Sequence, residues 1–118
     1  MKAIALFQVA ICNGNIAGQV LDGRVLSDIN LKDETFVVSQ ENILNFYHSG
    51  TQECIEIRDD AYFDSVSLKS ILSYGKYWDT INAGMSAKIE CECERTIEEY
   101  DVIFKCASSE GMDAYADE

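Results

Sequence analysis

The side chains best suited to chemistry in this chain are its one histidine, His48, and its five cysteines. The cysteines are Cys12, Cys54, Cys91, Cys93 and Cys106. Their number is odd, and no pair has the Cys-x-x-Cys spacing of redox and zinc motifs. A zinc site needs further ligands that a chain with a single histidine does not offer. We therefore predict small buried thiols in a reducing compartment, with no metal site and no cofactor.

The same residues give no support for catalysis. A Ser-His-Asp hydrolase would depend wholly on His48, and no serine lies in the nucleophile-elbow motif. The glycine-containing segment 12–18 fits no phosphate-binding fingerprint. We predict that the protein is not an enzyme and has no catalytic residues.

Composition limits the classes of partner. The 118 residues carry 21 acids against nine Lys and Arg, which gives a net charge of -12. This charge opposes direct binding to nucleic acid through phosphate neutralisation, and it favours a protein partner with a basic face. Hydrophobic residues make up 47% of the chain, which is typical of one globular domain.

The sequence predicts no membrane attachment. No stretch approaches the roughly 20 apolar residues that a membrane span needs. The apolar run 3–11 is short, Gln8 interrupts it, and bulky Ile11 stands where a secretion signal requires a small residue. We interpret this run as a first β-strand and expect the protein in the cytoplasm.

Hydrophobic periodicity predicts both strands and helices. Asn13-Gly14 and Asp22-Gly23 are preferred hairpin-turn pairs, so the chain should open with an antiparallel hairpin or meander. Short strands are predicted over 53–58 and 62–68. The clearest strand prediction covers 87–94, where apolar residues alternate with Lys88, Glu90, Glu92 and Glu94.

Three helices are predicted from caps and apolar stripes. The first runs from Ser39 to Gly50 and the second from Leu68 to about Trp78. The third opens with a capping box at Thr96 and continues to Ala107. These elements predict an α+β class in which about three helices pack on one face of an antiparallel sheet. Residues 1–107 form the single predicted domain, and 108–118 form an acidic C-terminal tail.

Two segments resemble the HPr family, the phosphocarrier proteins of the bacterial sugar phosphotransferase system. Val66-Ser67-Leu68-Lys69-Ser70-Ile71-Leu72 resembles the Ala-Lys-Ser-Ile-Met/Leu segment that opens the family's second helix. Residues 81–90 resemble the family's Gly-x-x-Ile stretch, and 96–107 its closing helix. The similarity spans about 27–107, and it implies an open-faced sandwich of four strands and three helices.

The phosphate-accepting motif of that family is missing. Residues 35–40 contain neither His nor Arg, and the chain contains no Pro, so Gly-x-His-Ala-Arg-Pro has no counterpart. The chain is therefore identified as a degenerate member without phosphocarrier chemistry. The resemblance implies one modification site, because the serine matching Ser70 is a regulatory kinase target in many members.

Two surfaces are candidates for partner binding. One is the acidic strand face of Glu90, Glu92 and Glu94, and the other is the aromatic cluster of Tyr74, Tyr77 and Trp78 at the predicted end of the second helix. We predict a non-catalytic, regulatory HPr-like domain that binds a protein through one of these surfaces. The alternatives are a phosphocarrier with an atypical acceptor and a small acidic inhibitor or DNA mimic, for example of phage origin.

Overall fold

The computed structural model describes residues 1–107 and shows an antiparallel β-protein. Its strands are β1 (Lys2–Asn15), β2 (Gly18–Val25), β3 (Ile29–Asn30), β4 (Thr35–Val38), β5 (Ile43–Ser49), β6 (Gln52–Ile57), β7 (Asp64–Ser73), β8 (Lys76–Trp78), β9 (Thr80–Ile81), β10 (Ser86–Cys93) and β11 (Val102–Cys106). Among the described residues, helical structure is confined to one 3-10 turn over Gln40–Asn42. No helix in this part of the chain is long and apolar enough to cross a membrane.

Six strands close into a barrel in the order β1-β2-β10-β7-β4-β11, and β11 pairs with β1 to complete the ring. The first residues of β1 also pair with β6, and β6 pairs with β5, so a hairpin extends the sheet beyond the barrel. Short β8 pairs antiparallel with the last residues of β7, and β3 pairs with β9 as a separate ribbon. Closure satisfies the backbone groups of the six barrel strands without leaving an edge among them.

The barrel core is built by alternation along each strand. In β10, Ala87, Ile89, Cys91 and Cys93 point inward while the residues between them are exposed. The predicted strand over 87–94 and its apolar face are therefore confirmed. Burial raises the pKa of the Cys91 thiol to about 12, so this cysteine stays protonated and packs as a small apolar side chain at neutral pH.

The first half of β1, the first three residues of β11 and the whole of β4 lie between two cores. Ile4, Leu6 and Ile103 belong to the barrel core, whereas their neighbours Ala3 and Phe104 belong to a second core. Ile55 and Ile57 of β6 complete that second core, and Phe63 packs edge-on against Phe36 and Phe104. Two buried faces explain why the sequence is continuously apolar over 3–7 and 102–104.

The predicted α+β class with an HPr-like open-faced sheet and three helices is wrong. The second predicted helix, 68–78, is the end of β7 and the whole of β8. In β7 the register with β10 shifts between Leu68 and Ser70, so inward residues are spaced two, three and two apart at Val66, Leu68, Ile71 and Ser73. This β-bulge separates the inward residues Leu68 and Ile71 by three positions, which is the spacing expected on one face of a helix.

The other two predicted helices are wrong for related reasons. The first is replaced by a single 3-10 turn followed by β5, in which a bulge at Leu44 again breaks the alternation. The third is replaced by a loop, which we call the β10–β11 loop (94–101), and by β11. The apolar residues that suggested this helix come from two different elements. Ile97 inserts into the barrel core from the loop, and Ile103 and Phe104 belong to β11, whose first three residues lie between two cores.

The chain does open with an antiparallel hairpin, but its turn is not at the predicted pairs. Strand β1 continues through Asn13-Gly14, and the chain turns at Ile16-Ala17 between the partners Asn15 and Gly18. Gly23 lies inside β2 rather than in a turn. The predicted acidic tail, 108–118, lies outside the described residues.

Candidate functional site

A groove of about 650 Å³ lies on the barrel surface and is bordered by two tyrosines, Tyr74 and Tyr100. We call it the tyrosine groove. Strands β1, β2 and β10 supply its floor, the β7–β8 turn supplies one rim, and the end of the β10–β11 loop supplies the other. The side chains of Tyr74 and Tyr100 are 80% and 57% exposed. The barrel thus holds two exposed aromatic rings at fixed backbone positions beside one concavity.

The rim at Tyr74 has an unusual turn composition. Tyr74 and Gly75 join the paired residues Ser73 and Lys76, and their φ angles are 53° and 73°. A two-residue loop with two positive φ angles belongs to the type I′ class, which prefers Asn-Gly. A tyrosine in the left-handed region costs roughly 1–2 kcal/mol. The position therefore has a side chain that the turn itself does not favour.

The opposite rim repeats this feature. Tyr100 has a φ of 71° and is the third residue of a turn in which the N–H of Asp101 donates to the carbonyl of Glu98 at 3.1 Å. Its own N–H donates to the carbonyl of Val9 at 2.8 Å, and the N–H of Val9 donates to the carbonyl of Asp101 at 2.9 Å. Within residues 1–107, these two tyrosines are the non-glycine residues with positive φ. Strained backbone of this kind clusters at functional sites.

Polar contacts hold the β10–β11 loop in place. Asp101, which is 3% exposed, accepts hydrogen bonds from the N–H of Glu98 at 2.9 Å and from Arg95 Nη1 at 3.1 Å. Burial raises the pKa of Asp101 above its ordinary value, although both of these donors act in the opposite direction. Arg95 also pairs with Asp64 of β7 at 2.9 Å. The loop that carries Tyr100 is thus anchored to the barrel.

A buried amide completes this anchoring. Gln19 is 1% exposed, and its Nε2 donates to the carbonyl of Arg95 at 2.8 Å. Its Oε1 accepts from the N–H of Ile97 at 2.7 Å and from Cys12 Sγ at 3.4 Å. One side chain of β2 therefore satisfies a donor and an acceptor of the loop backbone.

The tyrosine groove is lined by more basic than acidic side chains, whereas the protein as a whole is strongly acidic. Arg24 and Lys88 line the groove together with one acid, Asp22, whose Oδ1 lies 3.5 Å from Lys88 Nζ. Gln8 adds an amide that is hydrogen-bonded to Gln40 at 3.2 Å. In a chain of net charge -12, this small excess of basic over acidic side chains marks the groove as chemically different from the surrounding surface.

The predicted aromatic cluster is exposed, but it lies on a hairpin rather than at a helix end. Tyr74 borders the tyrosine groove, while Tyr77 and Trp78 lie on β8 and are 69% and 40% exposed. Trp78 Nε1 donates to the carbonyl of Ser73 at 2.9 Å, which fixes the ring against its own hairpin. Tyr74 lines the same groove as Tyr100, a residue that lay within the third predicted helix.

The predicted acidic face is exposed but partly paired. Glu90, Glu92 and Glu94 are all exposed, as predicted from the alternation along β10. Lys69 Nζ lies 3.1 Å from Glu92, and Ser70 Oγ donates to Glu90 at 2.8 Å. Lysines therefore interrupt the negative surface.

The remaining sequence candidates lie apart from the groove. Ser70 is half-buried on β7, and a phosphate there would face the carboxylate of Glu90, which like-charge repulsion opposes. His48 lies on β5, with Nδ1 3.1 Å from Glu53 Oε2, beside a separate cleft of about 490 Å³. No group of three or more His, Cys, Asp or Glu side chains in residues 1–107 is placed to hold a metal ion.

Sequence reasoning missed Tyr100 and the groove residues Gln8, Arg24 and Lys88. A Tyr-Gly pair at 74–75 was an available sign of a hairpin turn, but nothing in the sequence placed Tyr100 across from it. No protein-family model, curated protein or solved structure matches the chain.

Proposed function

We propose that this protein is a non-catalytic domain that binds a protein partner in the tyrosine groove. The observation that carries the proposal is that two exposed tyrosines, both in the left-handed backbone region, border the same concavity. Aromatic side chains are enriched among the residues that dominate binding energy at protein interfaces. A tyrosine at either position makes its turn less stable, so a role of the rings in binding accounts for their presence better than turn stability does.

The partner is expected to contribute apolar side chains to the groove and basic charge around it. Asp22 and Lys88 already satisfy each other in the groove, so aromatic and aliphatic contact supplies most of the affinity there. The net charge of -12 attracts a basic partner and speeds encounter, with an effect that weakens as salt is added. Five free cysteines fit a cytoplasmic location, where thiols stay reduced.

Two other functions receive less support from the geometry. An acceptor at His48 would lie on an edge strand beside the carboxylate of Glu53 rather than at a helix N-terminus. A DNA mimic needs an uninterrupted line of negative charge, whereas Lys69 and Lys88 stand beside the acids of β10.

Loss of the two rings should abolish capture of the partner. The immobilised protein is incubated with lysate of the source organism, and bound proteins are compared between wild type and a Tyr74→Ser, Tyr100→Ser double variant. An interface anchor contributes about 2 kcal/mol or more, which is about thirtyfold in affinity, so loss of both rings should weaken binding of the partner by roughly several hundredfold. The matched control is Tyr62→Ser, because Tyr62 is 91% exposed and lies outside the groove lining. Equal capture by all three proteins would contradict the proposal.

Substitution of Tyr74 by asparagine should raise the stability of the protein and weaken its binding to the partner. Tyr74→Asn restores the Asn-Gly pair that a type I′ turn prefers, so we expect the free energy of unfolding to rise by about 0.5–1 kcal/mol. Partner capture should fall with the same substitution. Urea denaturation followed by tryptophan fluorescence measures the first quantity. A variant that is destabilised, or that captures the partner as well as wild type, would argue against selection of Tyr74 for binding.

A further inference from the structure

Arg24 is an exposed residue that lines the tyrosine groove between its two rims. It is paired with Gln8 of β1 on one side and with Ser86 of β10 on the other, and directly opposite residues in a sheet share a face. Gln8 Nε2 donates to the carbonyl of Tyr100 at 3.5 Å. The carbonyl of Ser86 accepts at 2.7 Å from Oγ of Ser73, where the turn of the other rim begins. A ligand that contacts both rims must therefore pass over Arg24.

The side chain of Arg24 has no polar partner within residues 1–107. The other two arginines pair with carboxylates, since Arg58 Nε lies 3.3 Å from Asp60 Oδ1 and Arg95 Nε lies 2.9 Å from Asp64 Oδ2. Arg24, by contrast, makes no ion pair or side-chain hydrogen bond with another described residue, although 21 acids in the chain face nine Lys and Arg. An arginine without a carboxylate is therefore exceptional in this protein.

The acid in each of the two concavities that Arg24 borders is engaged by another side chain. In the tyrosine groove, Asp22 Oδ1 lies 3.5 Å from Lys88 Nζ. In the cleft beside His48, Glu53 Oε2 lies 3.1 Å from the imidazole Nδ1. Among the described residues, the donors of the Arg24 guanidinium thus remain available to a ligand. Their planar arrangement matches a carboxylate, which accepts two parallel hydrogen bonds from it.

We infer that the partner segment bound in the tyrosine groove places the carboxylate of an Asp or Glu side chain against Arg24, with apolar side chains on both sides of it. This inference rests on the function proposed above, the binding of a protein partner in this groove. It adds the chemistry by which the segment is recognised, because a charge-assisted pair with Arg24 fixes where the apolar side chains lie between the two rims.

Two features of the groove select an internal acidic residue over other anions. Tyr74 and Tyr100 border opposite rims, so apolar contacts are needed on both sides of the anion, which a carboxylate at a chain terminus does not provide. A singly charged carboxylate is favoured over a doubly charged phosphate, because Asp22 borders the groove and the chain has a net charge of -12. The basic charge of the partner then lies outside the groove.

Selection from a random-peptide phage library tests this recognition with defined probes. The library is selected in parallel on immobilised full-length wild type, on Arg24→Gln and on the Tyr74→Ser, Tyr100→Ser double variant. Peptides from wild type should share an Asp or Glu with apolar residues on both sides. Peptides from Arg24→Gln should keep the apolar residues without the acid, and the double tyrosine variant should select neither feature.

The matched control is Arg58→Gln, because Arg58 is exposed and lies outside the groove lining. It should select the same peptides as wild type, and circular dichroism confirms that each variant keeps its fold. Wild-type peptides that share apolar residues but no acid would overturn this inference while supporting the groove as a binding surface. Wild-type peptides with no shared feature, or the same peptides from the double tyrosine variant, would overturn the proposed function as well.

A double-mutant cycle then assigns the acid to Arg24. One selected peptide and its amide counterpart, with Asp replaced by Asn or Glu by Gln, are titrated against wild type and Arg24→Gln by fluorescence anisotropy. Wild type should bind the acidic peptide at least about tenfold more tightly than the amide. For Arg24→Gln the two affinities should agree within about twofold, since the pair is already lost. An equal preference for the acid in both proteins would contradict pairing with Arg24.

Discussion

Replacing Gly23 by alanine is expected to lower the free energy of unfolding by about 2–4 kcal/mol. A Cβ at this position would lie too close to the carbonyl oxygen of Gln8 and 2.8 and 2.9 Å from two ring carbons of Phe7. Phe7 is fully buried, so its ring has no free space to move into. Strands β1 and β2 would have to separate at the point where Val9 pairs with Gly23.

The matched control is alanine at Gly18, in the same strand. A Cβ there would meet no atom within 4 Å, and Gly18 does not have a positive φ. Urea denaturation should therefore place Gly18→Ala within about 0.5 kcal/mol of wild type. If the two variants were equally stable, the close approach of β1 to β2 at Gly23 could not be a feature of the fold.

The second large effect is expected at Gln19. Replacing it by leucine keeps a similar volume but leaves the N–H of Ile97 and the carbonyl of Arg95 without their partner. Each buried unpaired group costs about 1–3 kcal/mol, so with two such groups the free energy of unfolding should fall by about 2–6 kcal/mol. Hydrogen exchange should also become faster at the Ile97 amide, because the β10–β11 loop loses its contact with β2.

Gln52→Leu is the comparison for this substitution. Gln52 is exposed at the end of β6, and its replacement should change stability by less than about 0.5 kcal/mol. If Gln19→Leu had an equally small effect, Gln19 would not anchor the β10–β11 loop.

The sequence predicts some strands of this fold well and others badly, for a physical reason. Strand β10 has one face in the core and one in water, so its alternation was readable. In β7 a bulge interrupts that alternation at Lys69, and the resulting spacing from Leu68 to Ile71 matches a helix. Strand β11 is buried on both faces, so the periodicity of its apolar residues does not separate strand from helix. Helices were therefore predicted in segments whose apolar residues have helix-like spacing, although these segments pair as strands in the folded protein.

The candidate site was predictable only in part. Tyr74 could be named because it lies in an aromatic cluster that is contiguous in sequence. Tyr100 lies 26 positions later, and it reaches the same groove through long-range contacts of the β10–β11 loop, among them its hydrogen bonds with Val9 and with Gln19. A site formed by such non-local contacts leaves no spacing pattern in the sequence.

Site-specific photo-crosslinking tests most directly whether the tyrosine groove is the binding surface. A benzophenone amino acid is placed at Tyr74 in one protein and at Tyr62 in another, and both are irradiated in lysate of the source organism. We expect one discrete crosslinked protein from position 74 that is lost when Tyr100→Ser is introduced, and no such product from position 62. A discrete partner crosslinked equally from position 62, or crosslinking at position 74 that is unaffected by Tyr100→Ser, would contradict binding in the tyrosine groove.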